Sequence, residues 1–416
     1  MDFQNVSVIG LGYIGLPTSA ILATHGLNVL GVDVNPDVVA TINQGHIHIV
    51  EPELEAVVSG VVSAGRLRAA NRPEPAEAFI IAVPTPFLED HSPDLSYVEG
   101  AAHSIAPHLQ KGALVILEST SPVGTTERVS EWLAEDRPDL RFPHQVSDSE
   151  SPDVNVVYCP ERVLPGHVLH ELVYNDRIIG GMTPQCADRA ASLYYTFLKG
   201  QCVITNSRTA EMAKLSENAF RDVNIAFANE LSLIADELGV NVWELIEVAN
   251  RHPRVNILQP GPGVGGHCIA VDPWFLVHSA PAESRLIRAA REINDSKPRR
   301  IICKVKERAA RFSNPVIACL GLSYKANIDD LRESPAVDIV HELSREGVGS
   351  ILVVEPHVKK LPPVLQNAQG VTFASLDEAV RQADIILLLV DHRRFKNIDR
   401  RILMEKVVID TRGLWR

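Results

Sequence analysis

A glycine-rich turn set between two apolar runs constrains this chain more than any other feature. Val6, Val8 and Ile9 mark residues 5–10 as a buried strand. Gly10-Leu-Gly12-Tyr13-Ile14-Gly15 follows, then a helical stretch over 14–25 and a second strand over 27–33. Strand, turn, helix and strand in that order form a βαβ unit, the opening of a doubly wound parallel sheet. In this context Gly10 permits the tight turn, Gly12 lets the backbone approach a pyrophosphate, and Gly15 allows close helix–strand packing. The helix N-terminus then offers amide donors and partial positive charge to phosphates. Asp33 ends the second strand, where it accepts from ribose hydroxyls and repels a 2′-phosphate, so the expected cofactor is NAD rather than NADP. A plain tight turn at a strand–helix junction is the competing reading.

The same grammar extends along the chain. Short apolar strands are expected at 78–83, 113–117 and Asn155–Tyr158, with irregular exposed stretches at 83–93 and 137–152. Loops after such strands line the cofactor. They carry Thr85, which follows Val83-Pro84, and Thr120 and Thr126 on either side of Pro122-Val123-Gly124. Helix caps use the same residue types. From Ser207 to Leu238 no Gly or Pro interrupts a helical pattern of Leu215, Ala219, Val223, Ala226, Leu231 and Ile234. A helix of that length suits a connector or a dimer surface. A second helix starts near Asn241, a Gly/Pro-rich loop covers 253–273, and helices are expected at 283–294 and 297–311. Strands then return at Val316–Leu320, Ser350–Val354, 370–373, 383–389 and 406–410. The expected fold is α/β: two Rossmann-like doubly wound domains joined by a long central helix. The expected division is 1–205 for the NAD-binding domain, 206–300 for a helical linker with the catalytic loop, and 301–416 for the second α/β domain.

A length of 416 residues agrees with about two to three domains. A net charge of −12 excludes a nucleic-acid coat but not a phosphorylated small molecule held by a few Arg and Lys. Six scattered cysteines without a C-x-x-C pair fit neither a zinc site nor a disulfide framework, so no metal is expected. No apolar run is long enough to span a bilayer, and the N-terminus enters a strand almost at once. The expected location is cytoplasmic, with no membrane partner.

Cys268 adds chemistry to the hydride acceptor. It lies in Gly265-Gly266-His267-Cys268, with Asp272 four residues on. A thiol in a glycine-rich loop is open to ligand, and neighbouring amides lower its pKa. A thiolate captures an aldehyde as a thiohemiacetal, which yields a second hydride to leave a thioester, and hydrolysis gives an acid. A random cysteine is more often a small buried residue; the loop context reverses that balance. Lys214, Asn218 and Arg221 share one face of the long helix. A lysine there exchanges protons and stabilises oxyanions, against the plain reading of a solvated charge. Glu161, in Pro160-Glu161-Arg162-Val163-Leu164-Pro165-Gly166, follows a strand and is placed to activate a water; a surface carboxylate is the alternative.

These motifs together resemble the nucleotide-sugar 6-dehydrogenases, the UDP-glucose/GDP-mannose dehydrogenase family, over essentially the whole chain. The resemblance rests on the fingerprint, the Glu211-Met-Ala-Lys214-Leu-Ser-Glu-Asn218-Ala-Phe-Arg221 helix, Asn229-Glu230, the Cys268 loop, and Gly321-Leu-Ser-Tyr324-Lys325 followed by Asp330-Leu-Arg332-Glu-Ser-Pro335. It implies that Cys268 is the nucleophile and that Lys214, Asn218 and Asp272 handle protons and oxyanions. Thr120 is implied to order a water near the reacting carbon, and Glu161 to assist thioester hydrolysis. Gly10, Gly12, Tyr13, Ile14, Gly15, Asp33, Thr85, Thr120, Thr126 and Arg332 are implied around NAD. Arg162, Val163, Lys214, Asn218, Arg221, Gly265, Tyr324 and Lys325 are implied around the substrate, with His252 and Arg254 reaching it from the neighbouring subunit of a homodimer. Val271 stands where members acting on UDP-glucose carry lysine. That change resembles the branch acting on UDP-N-acetylhexosamines in polysaccharide synthesis, with UDP-N-acetyl-D-mannosamine the expected substrate and UDP-N-acetylglucosamine or UDP-glucose the alternatives. The competing functions are a two-electron hydroxyacid or sugar-phosphate dehydrogenase and a non-catalytic NAD-binding scaffold.

Overall fold

The computed structural model describes residues 3–416 except Glu89, Asp148, Ser149, Pro165 and His267. Pro165 and His267, members of two motifs above, therefore lie outside the described residues. The chain divides into two compact units, 1–216 and 217–416.

The first unit is built on an eight-stranded sheet in the order β3-β2-β1-β4-β5-β6-β7-β8. The strands are β1 (Asn5–Ile9), β2 (Asn28–Val32), β3 (Leu67–Ala70), β4 (Ala78–Ile81), β5 (Leu114–Leu117), β6 (Asn155–Tyr158), β7 (Arg177–Gly181) and β8 (Cys202–Asn206). All neighbours run parallel except β6 and β7. Both faces are covered, which is why β4 and β5 are apolar at every position rather than alternating. In β1, Val6 and Val8 enter one core and Ile9 the other. The chain reverses its direction of winding between β1 and β4, and the glycine turn opens at that point.

The second unit contains a five-stranded parallel sheet, β11-β10-β9-β12-β13, made of β9 (Val316–Leu320), β10 (Ser350–Val354), β11 (Val371–Phe373), β12 (Ile385–Leu388) and β13 (Val407–Asp410). It too has a core on each face, with Ile317 and Cys319 on one side and Ala318 and Leu320 on the other. The 32-residue helix Ser207–Leu238 begins in the first unit and continues into the second. Among the described residues no helix is long and apolar enough to cross a membrane.

Several details differ from the sequence reading. Strands β3, β7 and β8 were not expected. Gly180 and Gly181 make β7 look like a turn, yet a Cβ at Gly180 would lie 2.5 Å from that of Ala210, so the glycine serves close helix–strand packing. The two helices expected at 283–294 and 297–311 are one, Arg285–Ala309, running through Pro298. Its buried residues Ala290, Asn294, Lys297, Ile301 and Val305 hold helical spacing across the proline, and their packing outweighs the lost backbone bond. The 137–152 stretch is not wholly exposed, since Leu140 and Phe142 enter the core.

Candidate active site

The three fingerprint glycines have different reasons to be glycine. Gly10 has φ +93°, and a Cβ there would sit 2.6 Å from the Ala82 carbonyl oxygen. A Cβ at Gly15 would overlap the Gly10 carbonyl at 1.8 Å. At Gly12, by contrast, no described atom comes within 4 Å of an added Cβ, so the middle of the turn faces open space. Helix Gly15–Thr24 begins without a side-chain cap or an acidic residue in its first turn, so no carboxylate there competes with an anionic ligand for the positive end of the helix. Asp33 grips the turn: Oδ2 accepts from the Leu11 amide at 3.0 Å and Oδ1 from the Asn35 amide at 2.9 Å. Tyr13 and Ile14 are half-buried in the same turn. This open turn at a helix N-terminus, with a carboxylate at the second strand's end, fits NAD, as the sequence indicates.

The loops after β4 and β5 are tied by Thr85, whose hydroxyl donates to the Thr120 carbonyl at 2.5 Å. Thr126 is fully buried and turned inward. Its amide and hydroxyl donate to Glu211 Oε1 at 2.8 and 2.6 Å, and the Gly124 amide donates to Oε2 at 2.6 Å. Glu211 thereby caps helix Thr125–Asp136 from the long helix. Burial raises its proton affinity, and the Thr126 and Gly124 bonds oppose that rise.

Glu161 is no surface carboxylate. It is only 9% exposed; Oε1 accepts from the Arg162 amide at 2.5 Å and Oε2 from Arg177 Nη2 at 3.1 Å. Arg177 also donates from Nη1 to Glu118 Oε1 at 3.2 Å, and the Tyr194 hydroxyl donates to that same oxygen at 2.7 Å. The guanidinium lies 4.6 Å from the Tyr194 ring centroid. Burial pushes the Glu118 carboxyl up to about 7, with Arg177 pulling down and Glu161 pushing further up. The Cys159 thiol is likewise pushed up by burial, to about 12. The sequence reading missed Glu118, Arg177 and Tyr194. Arg162 is exposed and Val163 half-buried.

In the second unit Cys268 is exposed. Its carbonyl accepts from the Val271 and Asp272 amides at 3.1 and 2.9 Å, which places the thiol's residue one turn ahead of helix Asp272–Ser279. Asp272 is buried, and its Oδ2 accepts from Asn218 Nδ2 at 2.5 Å, so two of the expected partners meet. Lys214 is half-buried one helical turn before Asn218, and Arg221 is exposed. The loop rests on Tyr324: a Cβ at Gly265 would lie 2.8 Å from the tyrosine Cβ, and one at Gly266 2.9 Å from its ring. Val271 is packed inside, 4% exposed.

Beside this loop is a small, partly open cavity of about 30 Å³ lined by Pro262, Gly263, Tyr324, Lys325, Asp391 and Arg412 among others. Tyr324 and Lys325 ride on the loop after β9, which a buried pair pins from below. Glu355 Oε2 accepts from the Leu322 amide at 2.7 Å, the Ser323 amide at 3.1 Å and His392 Nε2 at 3.0 Å. His392 Nδ1 accepts from the Asn327 amide at 2.9 Å, so the ring proton is on Nε2. Burial opposes ionisation of Glu355, but bonds from His392 and from the Leu322 and His357 amides prevail and hold its carboxyl below the usual range. Arg332 is exposed and engaged by Asp330, with Nη2 to Oδ2 at 2.6 Å. His252 and Arg254 are both exposed in the turn after helix Val242–Ala249.

Comparison with known proteins agrees with this layout. Models of the UDP-glucose/GDP-mannose dehydrogenase family match residues 4–198 as the NAD binding domain, 208–296 as the central domain and 318–416 as the UDP binding domain. An NDP-N-acetyl-D-galactosaminuronic acid dehydrogenase of Ralstonia nicotianae is 63% identical, over 100% of this chain and 97% of its own. The UDP-N-acetyl-D-mannosamine dehydrogenase of Escherichia coli is 60% identical over the full length of both. The solved UDP-N-acetyl-mannosamine dehydrogenase of Staphylococcus aureus superposes with a TM-score of 0.87 at 42% identity, over 99% of this chain and 95% of that one. With an NAD cradle, a cysteine loop seated on a tyrosine, and three family models in order along its length, the chain belongs to the UDP-glucose/GDP-mannose dehydrogenase family and is an NAD-dependent nucleotide-sugar dehydrogenase.

Proposed function

We propose that this chain oxidises the C6 alcohol of UDP-N-acetyl-D-mannosamine to the carboxylate, releasing two NADH per sugar. The observation that carries the reading is the exposed Cys268 on a loop whose Asp272 is bonded to Asn218, with Lys214 one turn away. NAD supplies the acceptor for one hydride in each oxidation. In the first, Lys214 and the Asn218–Asp272 pair take the alcohol proton as the aldehyde forms. The Cys268 thiolate then adds to the aldehyde carbon; the resulting oxyanion is stabilised by the Lys214 ammonium and the Asn218 amide. Loss of the second hydride leaves a thioester. Glu161 takes a proton from water, which attacks the thioester carbonyl, releasing the acid and the Cys268 thiolate. Thr120 orders a water near the reacting carbon.

Residues 1–205 bind NAD with Gly10, Gly12, Tyr13, Ile14, Gly15, Asp33, Thr85 and Thr120, and Arg332 approaches it; Thr126, expected beside NAD, is buried with its amide and hydroxyl given to Glu211, so it shapes the loop instead. Residues 206–300 supply the catalytic loop and residues 301–416 the uridine diphosphate site, through Tyr324 and Lys325. Arg162, Val163, Arg221 and Gly265 complete the substrate contacts. Val271 supports an N-acetylated sugar, because an apolar residue stands where UDP-glucose enzymes carry a lysine. The long helix exposes Phe220 (70%), Phe227 (51%), Ile234 (49%) and Leu238 (69%) along one stripe. That stripe supports a homodimer in which His252 and Arg254 reach the neighbouring subunit's substrate.

Incubating the protein with NAD and each UDP-sugar separately, and counting NADH per sugar consumed, tests the reading. Two NADH and a uronate from UDP-N-acetylmannosamine are expected; one NADH, or turnover of UDP-glucose alone, overturns it. Cys268→Ser is expected to lose acid formation while NAD still binds. The 63% identity to an N-acetyl-D-galactosaminuronic acid dehydrogenase favours a second reading, in which the galacto-configured UDP-N-acetylhexosamine is the sugar turned over.

A further inference from the structure

The loop that carries Cys268 is rich in glycine, so its own backbone does little to fix the thiol. Both ends of the loop meet one buried chain of side chains. At the first end, the Gly261 amide donates to Asn229 Oδ1 at 2.9 Å. Asn229 Nδ2 donates to Asn294 Oδ1 at 2.8 Å, and Asn294 Nδ2 donates to Asp222 Oδ1 at 2.8 Å and to the Asp222 carbonyl at 3.1 Å. Arg291 Nη1 donates to the same Asp222 Oδ1 at 2.6 Å and reaches the carbonyl of Ile269, the residue after Cys268, at 3.5 Å. Asp222, Asn229, Asn294 and Arg291 are each at most 1% exposed.

The relay has one polarity. The Asp222 carboxylate accepts only, so it fixes the amide nitrogen of Asn294 toward itself. That leaves the Asn294 oxygen facing Asn229, fixes the Asn229 nitrogen as donor, and presents the Asn229 oxygen to Gly261. A flip of either amide would set acceptor against acceptor in a buried site. We propose that the Asp222–Arg291–Asn294–Asn229 relay is the positioning device for Cys268, clamping its loop at Gly261 and Ile269, and that Asn229 and Arg291 are positioning residues for the reaction. The proposal rests on the reading of Cys268 as nucleophile for its effect on turnover, but its effect on the thiol is independent of that reading.

The test uses Asn229→Asp and Asn229→Ala in the full-length protein. An ionised carboxylate at 229 confronts the Asn294 oxygen, whereas its protonated form is an isostere of asparagine, donating to Asn294 and accepting from Gly261. The charged groups around the introduced acid are Asp222, Arg291 and Asp295 along the relay, and Lys297, whose Nζ donates at 2.7 Å to Ser232. Two readouts are taken as ratios to wild type from pH 5.5 to 8.5: iodoacetamide alkylation of the Cys268 peptide by mass spectrometry, and kcat for NADH formation. N229D is expected to alter Cys268 alkylation and lower kcat about 100-fold at the alkaline end, with both ratios returning toward one as pH falls. N229A is expected to show the defect at every pH, and NAD affinity is expected to be unchanged in both. Wild-type alkylation and kcat in N229D across the range overturn the proposal. So does a defect that does not recover with acid in N229D, because the polarity of the relay then plays no part; if N229D does not fold, normal alkylation in N229A overturns it equally. If Cys268→Ser still forms acid, the nucleophile reading fails, and the alkylation ratios still decide the relay.

Discussion

Replacing Glu118 by glutamine isolates the charge balance behind Glu161. In the unfolded chain this carboxyl titrates near 4.5, and in the folded protein burial moves it to about 7 despite Arg177. Below pH 4.5 it is protonated in both states and its contribution to stability is fully present. Between 4.5 and about 7 the unfolded chain releases a proton that the folded chain retains, so that contribution falls as pH rises. Each tenfold change in proton affinity is worth about 1.4 kcal/mol, so the loss across the window is about 3 kcal/mol. Glutamine keeps the oxygen that accepts from Arg177 and Tyr194. Its NH₂ replaces Oε2, which has no hydrogen-bond partner among the described residues, at a pH-independent cost of about 1–3 kcal/mol. E118Q is therefore expected to be less stable than wild type at pH 5 and equal or more stable at pH 8. Urea unfolding of both proteins at each pH, with amide exchange in β6 and β7 as a local readout, measures the gap. A gap that is constant from pH 5 to 8, or that widens against the variant, refutes the assignment of the raised proton affinity to Glu118.

Gly10→Ala places a Cβ against the Ala82 carbonyl at a positive φ, a backbone strain of about 1–2 kcal/mol before the clash is counted. Calorimetric titration with NAD is expected to show at least about a tenfold loss of affinity, the equivalent of about 1.4 kcal/mol; unchanged affinity would mean that the turn does not hold the pyrophosphate. Phe220→Glu together with Phe227→Glu puts two charges on the exposed stripe of the long helix and is expected to yield monomers in analytical ultracentrifugation. Dimers that persist would place the subunit contact elsewhere.

What the sequence made legible follows from how local each signal is. The glycine turn, its flanking strands and Asp33 lie within 30 residues, and the periodicity of Ser207–Leu238 is unbroken, so both were readable in advance. Shared chemistry for Asn218 and Asp272 was implied only by the resemblance, and the bond between them was not readable, because 54 residues separate them. Strand β8 was missed because it is an edge strand with Val203 and Ile204 about half exposed and no apolar alternation. The charged pairs under the site left no local mark at all. Arg177 meets Glu118 across 59 residues, His392 meets Glu355 across 37, and Arg291 meets Asp222 across 69. Each is an ordinary charged residue until the sheet or the helix pair brings its partner alongside. Burial then changes its meaning, as it did for Glu161, where a surface carboxylate was the alternative.

The grip of Asp33 on the Leu11 amide bears on any attempt to redesign the coenzyme preference. Exchanging this aspartate for an apolar or basic residue, to admit a phosphorylated ribose, would also remove the acceptor that holds the first amide after Gly10. The turn would loosen for either dinucleotide, and the redesigned enzyme would bind both poorly. A successful switch needs a second substitution that restores an acceptor to the Leu11 amide. Coenzyme choice and turn stability are thus encoded in one side chain, and they have to be separated before either can be changed.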